Sequence, residues 1–393
     1  MTNSKSILIS DRLTLHLNTN IIFIDFVGVK ALPIGLYIHF PFCKSKCPYC
    51  DFYSLCGKND LIDRYCDAVI DRLKAFSDIR FDTVYFGGGT PSVIGADKLS
   101  KIAEHITSDN PDITEFTVEC NPSSITDGFF DILREAGVNR ISMGMQSAVD
   151  RERKKLGRSA SSDTVYNHIQ GAKRAGIDNI SLDLMLGIPY QTLDTLKTSV
   201  EFCSQVGASH ISAYLLKIEE GTPFYSKKDT LALPDEDYCC DLYLEAVSQL
   251  KKHGFLQYEI SNFAKDNRVS HHNLKYWNCD EYIGIGPSAH SFFNGKRFFC
   301  DRDINAFLNG ASPVDDGDGG DFAEYAMLRL RLCEGITEVG TYERFSHSIP
   351  TIMYENAKHI PKNLICVKND GISLTCEGFL LSNQIIGELL NNV

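Results

Sequence analysis

The chain has 393 residues, 43 % of them hydrophobic and 10 % aromatic, which is ample for two or three ordinary domains around a large core. Its 51 acidic and 39 basic residues leave a formal charge of −12, which argues against a nucleic-acid backbone as main partner, because phosphate binding wants clustered Lys and Arg. Fourteen cysteines in so long a chain, with no charged-apolar-small leader, read as reduced thiols of a cytoplasmic protein and not as a disulfide scaffold.

Residues 1–33 alternate polar and apolar side chains. They read as a short hairpin turning at Asn18-Thr-Asn20, as a flexible segment, or as the product of a start codon placed too far upstream. The apolar run Ile21-Ile-Phe-Ile24 is broken by Asp25 and is too short to span a bilayer, so the protein reads as soluble, with no transmembrane segment. From Gly35 a strand–helix alternation begins. Strands are predicted over 36–40, 83–86, 116–119, 140–145, 180–186 and 211–216, with helices over 61–76, 97–107, 127–136, 164–175 and 193–206 between them. Gly137, Gly176 and Gly207 end three of those helices. Every helix has the length of a right-handed crossover, so the strands form a parallel sheet. Eight such units close a barrel and six give an open, partial (β/α)6 barrel, an α/β fold.

Beyond Glu220 the pattern changes. A helix over 235–252, an edge strand over 258–264 and a Gly/Asp-rich loop over 315–321 are predicted. A helix over 322–332 then leads to a hairpin, 364–367 with 372–375, turning at Asn369-Asp-Gly371, and to a last helix over 379–390. The expected division is an unassigned segment 1–33, the barrel 34–220, an α+β extension 221–314 and a small winged-helix-like cap 315–393.

The stretch around which this organisation turns is Cys43-Lys-Ser-Lys-Cys47-Pro-Tyr-Cys50, directly after the first strand. Three thiols in one loop are too few for a structural zinc site, which takes four ligands. A four-iron cluster usually takes four thiolates as well, so three leave one iron open to an external chelating ligand. The plain alternative is three buried cysteines in a loop. Functional side chains of barrel-like parallel sheets gather at the C-terminal strand ends. Here those ends carry Gly87-Gly-Gly-Thr90, Glu119, Gln146 and Asp183, with Tyr214 near the sixth. Each alone could be a cap or a satisfied core residue.

The CxxxCxxC loop after a first barrel strand resembles that of the radical S-adenosylmethionine (SAM) proteins. Within them the chain is most similar to the branch around oxygen-independent coproporphyrinogen III oxidase, and there to the heme chaperone (HemW) group. The resemblance runs from about Gly35 to the C-terminus and does not cover residues 1–33. It implies the partial barrel, one 4Fe-4S cluster on Cys43, Cys47 and Cys50, and SAM chelating the open iron. Matched position by position, it also implies SAM contacts from Tyr37, Gly88, Gly89, Thr90, Glu119, Gln146, Arg158, Asp183 and Leu215. The acidic balance counts against the tRNA-modifying members.

Two functions follow from this resemblance. The oxidases extend the motif to CxxxCxxCxC and share an N-terminal segment at their substrate site. Here Phe52 stands at the last Cys position, and residues 1–33 do not match that segment. Against this, His272-Asn273-Leu-Lys-Tyr276-Trp277 is the HNxxYW motif that marks the chaperone group, and it holds the chain's one Trp. Imidazole suits heme iron and aromatic faces suit a macrocycle. His272, His271 and His290 are therefore all candidate ligands, with Tyr276 and Trp277 as ring contacts. A histidine hydrogen-bonded in a loop, with Trp277 as core anchor, is the alternative. The expectation is a heme chaperone that passes heme to acceptor proteins, among them respiratory enzymes by resemblance, with room for a homodimer. The second expectation is a coproporphyrinogen oxidase decarboxylating propionates; SAM cleavage is left open.

Overall fold

The computed structural model describes residues 34–393 together with the strands Arg12–Leu17 and Asn20–Asp25. Those two strands pair antiparallel from Arg12↔Asp25 to Leu17↔Asn20, the first of the three readings of this segment. Asn18 and Thr19 at its turn lie outside the described residues, as does the rest of 1–33.

Six parallel strands carry the fold: β1 (Ile34–Phe40), β2 (Phe81–Gly88), β3 (Glu115–Cys120), β4 (Arg140–Gln146), β5 (Asn179–Leu186) and β6 (His210–Leu215). They lie in sequence order, each hydrogen-bonded to the next. The crossovers contain α1 (Ile62–Leu73), α2 (Ala96–Asp109), α3 (Phe129–Glu135), α4 (Ser162–Arg174) and α5 (Leu193–Gln205). All eleven elements fall where the sequence places them, with ends shifted by a few residues.

Strand periodicity explains the layering. Leu36, Ile38, Phe40, Val84, Phe86, Phe116, Val118, Ile141, Met143, Ile180 and Leu182 are buried in one apolar core with the crossover helices. The residues between them are polar: Tyr37 and His39, Tyr85, Thr117 and Glu119, Ser142, Asp183, Ser212. They hydrogen-bond to one another across the strands, as Tyr85 does to Glu119 and Ser142 to Asp183. One face of the sheet thus makes the core, and the other is a polar surface suited to a polar ligand.

The extension builds no sheet of its own. Tyr282–Ile285 pairs parallel to β1, and His290–Phe293, Lys296–Phe299 and Val314–Asp318 follow antiparallel. On the opposite edge, Asn262–Ala264 pairs antiparallel to β6, with Leu256–Gln257 outermost. The result is one sheet of 12 strands. Two expectations need correcting. The Gly/Asp-rich stretch expected as a loop is in part the edge strand Val314–Asp318, all five residues exposed. Backbone pairing to Lys296–Phe299 and the Lys296–Asp318 ion pair hold an acidic segment that strand propensity alone disfavours. The last helix is two, Cys376–Leu380 and Ser382–Leu389, separated at Leu381 (φ −112°, ψ 20°). The C-terminal module otherwise follows the winged-helix order. Ile336–Thr337 leads to helices Glu338–Phe345 and Thr351–Ala357, then to the predicted hairpin Ile365–Lys368 with Gly371–Leu374.

Candidate functional site

The Cys loop leaves the C-terminal end of β1 and is fastened on both sides. The two-residue strand Phe42–Cys43 pairs in parallel with Leu55–Cys56, so Cys56 sits in register beside Cys43. That pairing pins the stretch around Cys56, whose thiol remains exposed. Between Cys47 and Cys50 the chain turns through a Cys50 N–H to Cys47 carbonyl bond of 3.1 Å. Tyr49, inside that turn, receives a hydrogen bond of 2.9 Å from Arg158 Nη2 and packs its ring near Phe224. All three motif thiols are free and partly buried. Burial pushes the Cys43 and Cys50 thiols up, with a hydrogen bond to Thr90 opposing this at Cys43. Among the described residues no three His, Cys, Asp or Glu side chains converge as ligands of a single ion. The thiolates of a cluster each meet a different iron, so three neighbouring thiols in an open loop fit a cluster.

The glycine run lies directly under this loop. The Gly89 and Thr90 N–H groups donate to the carbonyls of Phe40 and Phe42, both at 2.8 Å, and Thr90 Oγ1 lies 3.5 Å from Cys43 Sγ. A Cβ at Gly89 would stand 2.7 Å from the Phe40 oxygen and 2.8 Å from the Phe42 oxygen. Gly88 has φ +103°, and a Cβ there would run into the His39 ring. Glycine is required here to seat the Cys loop against β2, a role that close approach of a ligand would share.

Below it, Glu119 accepts from Tyr85 Oη at 2.8 Å and from the Gly88 N–H at 3.2 Å. Burial, and then the Asp183 charge, raise its carboxyl to about 7. Asp183 is raised by burial too, and Arg158 and the Ser142 hydroxyl, 3.3 Å away, act against that shift. Gln146 ends β4 in a left-handed conformation (φ 72°) at a register irregularity, and its Oε1 receives a 3.1 Å bond from Tyr214. Such a backbone in a non-glycine residue persists only where its surroundings hold it, and it is common at binding sites. Tyr37 lies 3.1 Å from His39 Nδ1, and Leu215 is exposed at the end of β6. Gly88, Gly89, Thr90, Gln146, Arg158 and Leu215 thus stand at the strand ends beside the Cys loop, while Tyr37, Glu119 and Asp183 lie within their strands, on the polar face below it. Sequence reasoning missed Tyr49, Tyr85, His39 and Ser142. Only inward alternation along each strand could have pointed to the last three.

The heme candidates separate. HNxxYW is a helix, His271–Trp277, capped by Ser270, and not the loop of the alternative reading. It lies at the opposite, N-terminal end of the strands. Glu115, which opens β3, accepts from the His271 N–H at 2.8 Å, the His272 N–H at 3.0 Å and the Ser270 hydroxyl at 3.3 Å. A carboxylate on a helix N-terminus meets its free N–H groups and its dipole. His272 is fully buried. Its Nδ1 is 3.0 Å from Thr83 Oγ1, its Nε2 is 2.8 Å from Tyr276 Oη, and its ring stacks on Tyr85 at 5.3 Å. Burial first, then Lys275 and Arg140, lower it to about 3. With both nitrogens and a face engaged, His272 and Tyr276 form a plug under the polar face, and the expectation that they offer themselves to a porphyrin does not match this arrangement. Trp277 is half-buried on the same helix. His271 is exposed beside an open cavity of about 480 Å3. His290 is also exposed, at the other end of the sheet, with its ring 5.3 Å from Phe299.

The chain's similarities match this arrangement. The Radical SAM superfamily model covers residues 37–203, which holds the Cys loop and the strand-end residues as far as Asp183. The Bacillus subtilis heme chaperone HemW is 33 % identical over 91 % of this chain and 99 % of its own length. Its Lactococcus lactis counterpart is 32 % identical over 91 % and 97 %. The Escherichia coli coproporphyrinogen III oxidase (HemN), a radical SAM enzyme, superposes with a TM-score of 0.78, covering 92 % of this chain and 91 % of that one. At 18 % identity that likeness speaks to fold alone. Full-length similarity above 30 % to several chaperones, on a radical SAM scaffold, places this chain in the heme chaperone HemW family.

Proposed function

We propose that this protein binds heme and delivers it to acceptor proteins, on a radical SAM scaffold that carries one 4Fe-4S cluster and SAM. The single observation that carries the reading is similarity over nearly the whole length of HemW chaperones. Phe52, exposed where the oxidases have a further cysteine, supports it. In this reading Cys43, Cys47 and Cys50 hold the cluster, and Thr90 and Arg158 fix the loop through Cys43 and Tyr49. Glu119 and Asp183 take the ribose hydroxyls of SAM, while Tyr37, Gly88, Gly89, Gln146 and Leu215 line its remaining length. The cluster, when bound and reduced, can supply an electron to split the carbon–sulfur bond of SAM. The chain's residues supply orientation and a site partly withdrawn from water. A cytoplasmic setting, respiratory enzymes as acceptors and a homodimer complete the proposal. No helix of the described residues is long and apolar enough to cross a membrane. The test adds heme and SAM separately to anaerobically reconstituted protein. A Soret band saturating near one heme per chain supports the carrier; formation of protoporphyrinogen IX from coproporphyrinogen III contradicts it.

A further inference from the structure

The Cys loop opens and closes on a pair of facing thiols. Cys43 and Cys56 are register partners in the short parallel ladder of Phe42–Cys43 with Leu55–Cys56, and the Leu55 N–H donates to the Pro41 carbonyl at 2.7 Å. Register partners in paired strands carry their side chains on the same face. Phe42 and Leu55 pack theirs against the core, so Cys43 and Cys56 turn theirs together to the opposite side. There Cys56 is exposed and Cys43 is partly buried. Paired strands run about 4.8 Å apart. The two Cα atoms of a disulfide stand about 4.4–6.8 Å apart, so the backbone already holds this pair at bonding separation. Burial dominates the Cys43 thiol, and of the two cysteines that act on it Cys56 comes ahead of Cys47.

We propose that Cys43 and Cys56 are a modification site, forming a reversible disulfide whenever Cys43 carries no iron. The inference rests on the reading of Cys43 as a cluster ligand, and it gives a task to Cys56, which lies outside the motif spacing. The oxidant is a small-molecule disulfide of the glutathione class. Cys56, the accessible thiol, attacks one sulfur of that disulfide as a thiolate. The small S–S bond breaks, one small thiol leaves, and a mixed disulfide stands on Cys56. The Cys43 thiolate then attacks the Cys56 sulfur, which forms the protein S–S bond and expels the second small thiol. In all, the two protein thiols lose two electrons and two protons, and the small disulfide takes them up as its two thiols. A thiol reductant reverses both steps. The disulfide holds Cys43 at a reducible stage, whereas a thiol without a partner can be oxidised onward to sulfinic acid, which thiols do not reverse.

Full-length protein is reconstituted anaerobically, its iron content is measured, and a portion is stripped of iron with a chelator. Both samples are treated with oxidised glutathione, alkylated, and cut with trypsin and chymotrypsin. Sites at Lys44, Lys46, Phe52 and Tyr53 then separate Cys43, Cys56 and the Cys47–Cys50 segment. Mass spectrometry should find a Cys43–Cys56 linked peptide in the stripped protein, its loss on treatment with dithiothreitol, and none with iron in place. Cys56→Ser, with its fold checked by circular dichroism, should lose the linked peptide and accumulate sulfinic acid at Cys43 under hydrogen peroxide. Wild type oxidised first with glutathione should resist that damage and return to full iron content after dithiothreitol and reconstitution. Linkage of Cys43 to Cys47 or Cys50, or glutathione left on Cys56 beside a free Cys43, overturns the inference and leaves the cluster reading standing. The linked peptide in equal yield with and without iron overturns the assignment of Cys43 as a ligand, and the inference with it.

Discussion

Cys43, Cys47 and Cys50 share the motif spacing that the proposal assigns to a cluster, although Cys56 lies in the same short loop. Cys56 lies in register beside Cys43, yet it is exposed and falls outside the motif spacing. Replacing any one of the three motif cysteines by Ala is expected to abolish the brown cluster absorbance, and Cys56→Ala to spare it. Iron and sulfide analysis of the four purified variants decides between three ligands and four. Glu119 gives a second test at this scale. Tyr37, Tyr85, Arg140 and Asp183 face it, and its carboxyl titrates at about 7. Only the ionised form accepts from Tyr85, Gly88 and a ribose hydroxyl together. SAM affinity should therefore rise as the pH climbs through about 7, and Glu119→Gln should flatten that rise. A charged hydrogen bond is worth about 1.5–3 kcal/mol, so Ala at Glu119 or at Asp183 should each weaken SAM by roughly tenfold or more. Equal SAM affinity in wild type and both Ala variants, by calorimetry, would mark both as structural residues.

At the scale of elements, the seat of the Cys loop and the plug under the sheet depend on single residues. Gly89→Ala drives a methyl group against two carbonyl oxygens that themselves accept the Gly89 and Thr90 N–H bonds. Overpacking of this kind costs about 1–3 kcal/mol, and the strain falls on the Cys loop. The purified variant should fold but retain less iron, and full cluster occupancy would contradict the seating role. Glu115→Ala strips two backbone donors and a hydroxyl of their acceptor in a buried place, at about 1–3 kcal/mol for each group left unpaired. A thermal midpoint lowered by several degrees is expected, with the cluster absorbance intact when the protein is folded.

The eleven barrel elements were legible in the sequence because each is a local pattern, apolar runs at period two and amphipathic helices ended by glycine. So was the Cys loop, whose spacing is local as well. What was hidden depends on partners distant in sequence. Glu115 reads as one more acid until Ser270-His-His272 is brought against it. His272 reads as a ligand until Thr83, Tyr85 and Tyr276 close around it. The edge strand Val314–Asp318 exists through its pairing and not through its residues, and Tyr49 gains its meaning from Arg158 more than a hundred positions later.

Over the whole molecule, one sheet of 12 strands has the Cys loop at one end and the HNxxYW helix at the other. The barrel is shared with a coproporphyrinogen III oxidase of the same fold, so fold cannot decide between carrying a porphyrin and reacting with one. The deciding measurement is a single anaerobic reaction of reconstituted protein with coproporphyrinogen III, SAM and a reductant, run beside a heme titration of the same sample. The account predicts a Soret band saturating at about one heme per chain and no protoporphyrinogen IX. Steady formation of protoporphyrinogen IX, with no saturable heme binding, would contradict it.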